Sequence, residues 1–144
     1  MPLQDMQRNT MTAPLPLEHF VTALRSCWDE KTSFTPDEWT AKNPARGQCL
    51  VSSLAIQDYY GGDLKRYDVK AENFTETHYC NILYGSITVD TTASQYTSPV
   101  QLITSDVNLH GYATAREKYL ADPQTKSQYE LLKKRLEQAL RLER

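Results

Sequence analysis

The chain has 144 residues, of which 40% are hydrophobic and 10% aromatic, so it is long enough for one domain with a hydrophobic core and too short for two ordinary domains. Sixteen Lys and Arg against eighteen Asp and Glu give a net charge of -2 at pH 7, which argues against nucleic acid as a partner. No stretch approaches the ~20 apolar residues of a membrane span, and the N-terminus lacks a basic segment followed by an apolar one. We therefore expect a cytoplasmic protein that does not enter a membrane.

Residues 1–15 are rich in polar residues and proline and show no apolar period. We expect a disordered tail here, followed by a single α+β domain over residues 16–144. From Pro16 to Trp28 the apolar residues recur at helical spacing, which predicts an amphipathic helix that buries Cys27. The next signal is TPDE, Thr35–Glu38, which resembles a capping box and predicts a short helix carrying Trp39.

The segment NPARGQCLVSSLAIQDYYGG predicts a polar turn followed by an enclosed helix. Pro44 and Gly47 interrupt regular structure before the helix, and Gly61 and Gly62 end it. Apolar or small residues fill most sides of the chain from Cys49 to Tyr60, which is typical of a helix surrounded by other elements.

The β-rich part follows this helix. LKRYDV predicts one strand, and HYCNILYGSITVDT predicts two strands that form a hairpin around Gly85 and Ser86. The signals from Ser94 to His110 are mixed, with a short strand suggested by VQLI. YATAREKYL and SQYELLKKRLEQALRL then predict two C-terminal helices.

Cys49 is a candidate nucleophile because it lies at the predicted start of the central helix. Unpaired amides and the helix dipole stabilise a thiolate at such a position, and the amide of Cys49 itself could bind an oxyanion. The side chain of Gln48 is a candidate second oxyanion donor. The alternative is a buried structural thiol, which is the interpretation we adopt for Cys27.

His78 and Asp90 are the candidate base and orienting acid. They lie twelve positions apart (90 minus 78), at the same end of the two hairpin strands. A two-residue turn would place them on opposite faces of the sheet, whereas a three-residue loop or a bulge would place them on the same face. Because the sequence does not decide the loop, Asn81 is an alternative orienting residue.

The three cysteines, at positions 27, 49 and 80, are widely spaced and odd in number, which favours free thiols over a disulfide framework. Cys49, His78 and Cys80 could meet around a metal ion, but their spacing matches no structural zinc pattern. We therefore expect neither a metal nor another cofactor.

Three blocks of the sequence, NPARGQCLVSSLAIQDYYGG, HYCNILYG and VDTTASQY, resemble the YunG-like family of small bacterial proteins of undefined function. Their order is also similar to the transglutaminase-like and NlpC-like branches of the papain-type superfamily. That resemblance implies a papain-like core, a central helix on a small antiparallel sheet with added N- and C-terminal helices, and it implies Cys49 as nucleophile, His78 as base and Asp90 as orienting acid. Cys80 departs from the YunG-like pattern, in which an aromatic residue is more usual.

The function we expect is thiol-dependent acyl transfer or hydrolysis on a peptide or another amide-containing substrate, without a cofactor. One rival is a non-catalytic binding module that has kept a papain-like fold. A second rival is a redox-sensing protein that forms a disulfide between Cys49 and Cys80. The sequence does not indicate an oligomeric state.

Overall fold

The computed structural model describes residues 15–142, and within them it has a mixed α+β architecture. The helices are α1 (Leu17–Arg25), α2 (Cys49–Tyr60), α3 (Ala115–Leu120) and α4 (Pro123–Leu142). The strands are β1 (Asp63–Lys70), β2 (Thr75–Leu83), β3 (Ile87–Val89) and β4 (Gln101–Ser105). Single 3-10 turns lie at Glu30–Thr32, Pro36–Glu38 and Ala93–Gln95.

Helix α2 lies in the centre of the molecule. It packs against β2 on one side and against α4 on another, and α1 also contacts α4. This arrangement explains why α2 lacks a polar face, since each residue from Val51 to Ile56 is buried. The core that surrounds it includes Phe20, Leu24, Leu83, Leu132 and Leu136.

The four strands form one antiparallel sheet in the order β3-β2-β1-β4. Strands β2 and β3 form the predicted hairpin, with Leu83 paired to Ile87 and Asn81 paired to Val89. The connection between them therefore has three residues, Tyr84 to Ser86, and the first two have positive φ angles of 53° and 80°. This loop length determines which side chains of the two strands share a face.

Most of the predicted elements are confirmed, including the start of α2 at Cys49. The prediction of a helix that carries Trp39 is wrong. Only one 3-10 turn forms there, and Thr35 makes no side-chain capping bond. Trp39 leaves the turn in an extended conformation, and its indole Nε1 donates to the carbonyl of Pro44 at 2.9 Å. The aromatic ring is thus fixed by a contact beyond the turn, which local capping signals do not encode.

The predicted tail lies outside the described residues except at its last position. Leu15 packs against the core, and its carbonyl accepts a hydrogen bond from the hydroxyl of Tyr60. Between residues 15 and 142, no helix combines the length and the apolar character needed to cross a membrane.

Candidate active site

Cys49 is the first residue of α2 and is partly exposed. The preceding turn needs glycine at position 47, because φ is +77° and a Cβ atom there would lie 2.1 Å from the Oγ of Ser33. The carbonyl of Gly47 also accepts from the amide of Phe34 at 2.8 Å, which fixes the turn against a neighbouring loop. No side chain caps the start of α2, so the amides of its first turn are not satisfied by a capping side chain.

Gln48 has a buried structural position. Its Oε1 accepts from the hydroxyl of Thr32 at 2.8 Å, and its Nε2 donates to the carbonyl of Asp29 at 2.9 Å. The residue has no exposed surface, so this amide cannot reach a substrate in the arrangement seen here. The structure does not bring the side chain of Gln48 into the group formed by Cys49 and His78.

His78 and Asp90 are in direct contact. The His78 Nε2 atom lies 2.7 Å from Asp90 Oδ2, and Asp90 Oδ1 accepts from the amide of Thr92 at 3.2 Å. The three-residue loop explains this contact, because continuing the β2–β3 register places Asp90 opposite Cys80, on the same face as His78. The two residues meet although His78 lies on β2 and Asp90 directly follows β3.

The electrostatic environment of His78 favours the imidazolium form. The residue is fully buried, and burial alone would lower the pKa of the ring. Hydrogen bonds with Asp90 and with the thiol of Cys49, together with the charges of those two groups, more than offset burial and raise the pKa to about 9. His78 therefore links the cysteine to the carboxylate.

Gln95 is the remaining residue in contact with the imidazole, and no motif in the sequence points to it. Its Oε1 accepts from Arg46 Nη1 at 3.1 Å and from the amide of Gly47 at 3.3 Å. The amide nitrogen must then point the other way, where it lies 3.2 Å from His78 Nδ1. Gln95 can donate to Nδ1 only while the ring is neutral, so this contact opposes the protonation that Asp90 and Cys49 favour.

Asn81, the alternative orienting residue, lies on the opposite face of β2 from His78. Its Nδ2 donates to the carbonyl of Ser53 in α2 at 2.9 Å, so it ties the sheet to the helix. Cys80 lies on the same face as His78, but it is almost fully buried. Burial and the negative charge of Asp90 raise the pKa of the Cys80 thiol to about 11, which disfavours the thiolate needed for redox chemistry.

A cavity of about 320 Å³ opens beside Cys49. An ion pair forms part of its wall: Arg46 contacts Glu76 through two hydrogen bonds of 2.8 and 2.7 Å. The remaining walls include Phe34, Leu50, Thr77 and Tyr79. The candidate nucleophile therefore has room for part of a substrate next to it.

The described part of the chain offers no metal centre. Between residues 15 and 142 no group of three or more His, Cys, Asp or Glu side chains is arranged to hold an ion. The three cysteines are free thiols.

Comparison with known proteins supports the resemblance seen in the sequence blocks. The sequence model of the family described as YunG protein matches residues 16–141. The chain is also 31% identical over 85 residues to the "Uncharacterized protein YunG" of Bacillus subtilis (strain 168), a match that covers 59% of this chain and 67% of that relative. No solved structure matches significantly. Because the family match spans nearly all of the described residues, the protein belongs to the YunG family.

Proposed function

We propose that this protein is a thiol-dependent enzyme that hydrolyses, or transfers the acyl group of, an amide-containing or peptide substrate. In this proposal Cys49 is the nucleophile, His78 the general acid and base, and Asp90 the residue that orients His78. The observation that carries the proposal is the position of His78, which contacts Asp90 at 2.7 Å and also interacts with the thiol at the start of α2.

The reaction would begin with attack of the Cys49 sulfur on the substrate carbonyl carbon, forming a carbon–sulfur bond while the thiol proton resides on His78. The His78 imidazolium would then give that proton to the leaving amine as the carbon–nitrogen bond breaks, which leaves a thioester. Water or an acceptor amine would attack the thioester after losing its proton to His78, and the Cys49 thiolate would depart. Protons and electrons balance over the cycle without a cofactor.

The negative charge that develops on the carbonyl oxygen needs hydrogen-bond donors. The uncapped first turn of α2 supplies backbone amides for this purpose, that of Cys49 among them. In this proposal these amides bind the oxyanion in place of the side chain of Gln48, which is hydrogen-bonded to Thr32 and Asp29.

The same features support a finer description of the fold. A cysteine at the start of a central helix, a histidine on a neighbouring antiparallel strand and an acid on the next strand follow the order of the papain-type superfamily, and we propose a papain-like core on that basis. We also propose a cytoplasmic location, because three free thiols are typical of a reducing compartment.

The direct test is to trap the acyl-enzyme. The protein is incubated with 4-nitrophenyl acetate, release of nitrophenol is followed, and the acetylated residue is identified by peptide mapping. We expect a thioester on Cys49 that accumulates in the wild type, and no acetylated cysteine in Cys49→Ala. His78→Gln should slow acetylation by about 100-fold, the usual size of a lost general base.

The matched control is Cys27→Ala, which removes a buried thiol outside the site and should leave acetylation unchanged. Nitrophenol release at the wild-type rate by Cys49→Ala would overturn the proposal. The rival function, a binding module that does no chemistry, would then be the better interpretation.

A further inference from the structure

The charged residues in the wall of the cavity beside Cys49 are paired with other protein groups, which leaves them little hydrogen-bonding capacity for a ligand. Arg46 donates from Nε and Nη2 to Glu38 at 2.9 and 2.6 Å, from Nη1 and Nη2 to Glu76 at 2.8 and 2.7 Å, and from Nη1 to Gln95 at 3.1 Å. A guanidinium has five N–H donors, and these contacts use all of them. A carboxylate or phosphate on a substrate would find no free donor on Arg46.

Glu76 is almost as fully occupied. One carboxylate oxygen accepts from Arg46, and the other accepts from Arg46 and from the hydroxyl of Tyr96 at 2.9 Å. Burial alone would raise the pKa of Glu76, but the hydrogen bonds from Arg46 and Tyr96 lower it, so the group stays ionised and paired. A substrate ammonium group would have to compete with Arg46 for this carboxylate.

Apart from the hydroxyl-bearing side chains of Thr35 and Thr77, the wall that remains available to a ligand is mostly apolar. Phe34 is 54% exposed although it is a large hydrophobic residue, and its backbone amide is fixed to Gly47, two residues before the candidate nucleophile. Leu50 and Tyr79 are half-buried residues that line the same cavity. The cavity is thus bounded by groups that gain stability when another apolar surface covers them.

The size of the cavity limits what it can hold. A volume of about 320 Å³ corresponds to roughly ten water molecules at ~30 Å³ each. This is at the lower end of the range of ligand pockets, which starts at about 300 Å³. A pocket of this size suits one side chain or a small ring.

We infer that the cavity beside Cys49 binds an uncharged, apolar side chain of the substrate, aliphatic or aromatic, next to the carbonyl group that the thiol attacks. The inference rests on the proposed function, because it names the substrate class of the same site. Its physical basis is independent of the catalytic residues: paired charges, exposed apolar walls and a volume of side-chain size.

The test uses three compounds with the same reacting carbon: N-benzyl chloroacetamide, its 4-carboxy derivative and its 4-aminomethyl derivative. In each case the Cys49 sulfur forms a bond to the CH2 carbon and chloride leaves. Rates of Cys49 labelling are divided by the rate of the same compound with glutathione, which removes differences in intrinsic reactivity. We expect the neutral benzyl compound to exceed both charged derivatives by about tenfold or more, since burying an unpaired charge is unfavourable.

Two variants test whether the preference for the neutral compound depends on the cavity wall. Phe34→Ala should reduce the preference for benzyl chloroacetamide over plain chloroacetamide by roughly threefold to tenfold. Ile87→Ala removes a hydrophobic side chain of similar exposure, 52%, from a strand that does not line the cavity, and should retain the wild-type preference. Labelling of Cys49 at equal normalised rates by all three compounds would overturn this inference alone, and failure of every compound to label Cys49 would overturn the proposed function with it.

Discussion

The His78 Nε2 atom contacts Asp90 Oδ2 at 2.7 Å because the hairpin that joins the two residues turns through three residues, Tyr84 to Ser86. With a two-residue turn, every side chain after the turn would point to the other face of the sheet. The acid would then face away from the imidazole. The loop length is therefore as much a part of the candidate site as the residues themselves.

This contact predicts a pH dependence of stability that Asp90→Asn should weaken. The folded-state pKa of His78 is raised to about 9 from an ordinary value of 6.5, so its contribution to stability is fully present below about pH 6.5 and is lost as the pH rises through about 9. A pKa shift of this size corresponds to on the order of 3 kcal/mol in the free energy of unfolding. Urea unfolding at pH values from 6 to 9.5 should show this fall in the wild type and a clearly flatter profile in Asp90→Asn.

The matched control for this prediction is Asp68→Asn. Asp68 is a half-exposed strand residue paired with Arg66, and it has no contact with His78 among the described interactions. Its variant should keep the wild-type slope. If Asp90→Asn also keeps that slope, the carboxylate does not stabilise the imidazolium.

A second prediction concerns Gln95, whose amide nitrogen lies 3.2 Å from His78 Nδ1. A donor at this position favours the neutral ring, so exchanging it for an acceptor should favour the imidazolium. Gln95→Glu keeps an oxygen for Arg46 and Gly47 and presents the second carboxylate oxygen to Nδ1. We expect the titration midpoint of His78, measured from its ring nitrogen NMR shifts, to rise by about one pH unit.

The same NMR measurement distinguishes a specific role of Gln95 from a general charge effect. Gln57→Glu introduces an equal charge in α2, where the side chain contacts Gly62 and Arg116 and is not bonded to His78. Its His78 midpoint should stay within a few tenths of the wild-type value. Equal shifts in both variants would show that Gln95→Glu acts through its added negative charge and not through its contact with His78 Nδ1.

A third prediction is the order in which the cysteines react with iodoacetamide at neutral pH. Cys27 and Cys80 are buried, and burial raises the pKa of both thiols, to about 11 for Cys80. Cys49 is partly exposed and lies beside an imidazole that favours its cationic form. Cys49 should be alkylated first, and His78→Gln should slow its labelling by about tenfold, because the imidazole that takes up the thiol proton is then missing.

Peptide mapping at short reaction times decides this prediction. Denatured protein is the control, since all three cysteines should then react at similar rates. Labelling of Cys27 or Cys80 before Cys49 in the native protein would contradict the assignment of Cys49 as the nucleophile.

The central part of the site could be predicted from the sequence because its signals are local. A glycine turn, a run of small and apolar residues and a glycine pair define α2 and place Cys49 at its start. His78 lies in a predicted strand and Asp90 at the end of the next one, and the sequence leaves open the length of the loop between these strands. The choice between two and three residues depends on backbone angles, and Tyr84 adopts a positive φ that tyrosine rarely takes.

Gln95, Arg46 and Glu76 could not be predicted in the same way. Gln95 lies in a 3-10 turn within a segment of mixed signals, and its partners are 17 and 49 residues away in the chain. Arg46 and Glu76 are 30 residues apart, and each alone looks like a solvated surface charge. These contacts form only when the loops pack over the sheet. The periodicity of the sequence therefore does not predict them.

The last prediction compares two glycines with nearly the same backbone conformation. Gly47 has φ of +77° and Gly85 has φ of +80°, so replacing either by alanine places a Cβ atom in the left-handed region and costs about 1 kcal/mol. At Gly85 nothing lies within 4 Å of that atom, so the alanine variant should lose no further stability beyond this backbone cost. At Gly47 the atom would lie 2.1 Å from Ser33 Oγ, which donates to the carbonyl of Arg46 at 2.8 Å.

Gly47→Ala should therefore lower the free energy of unfolding by about 3 kcal/mol or more, against about 1 kcal/mol for Gly85→Ala, as measured by urea unfolding at pH 7. Because the turn also fixes the start of α2, Cys49 in folded Gly47→Ala should lose much of its labelling advantage over Cys27, whereas Gly85→Ala should retain it. Equal losses of stability in the two variants would mean that Ser33 moves aside freely. The close packing of that turn would then not be what positions the nucleophile.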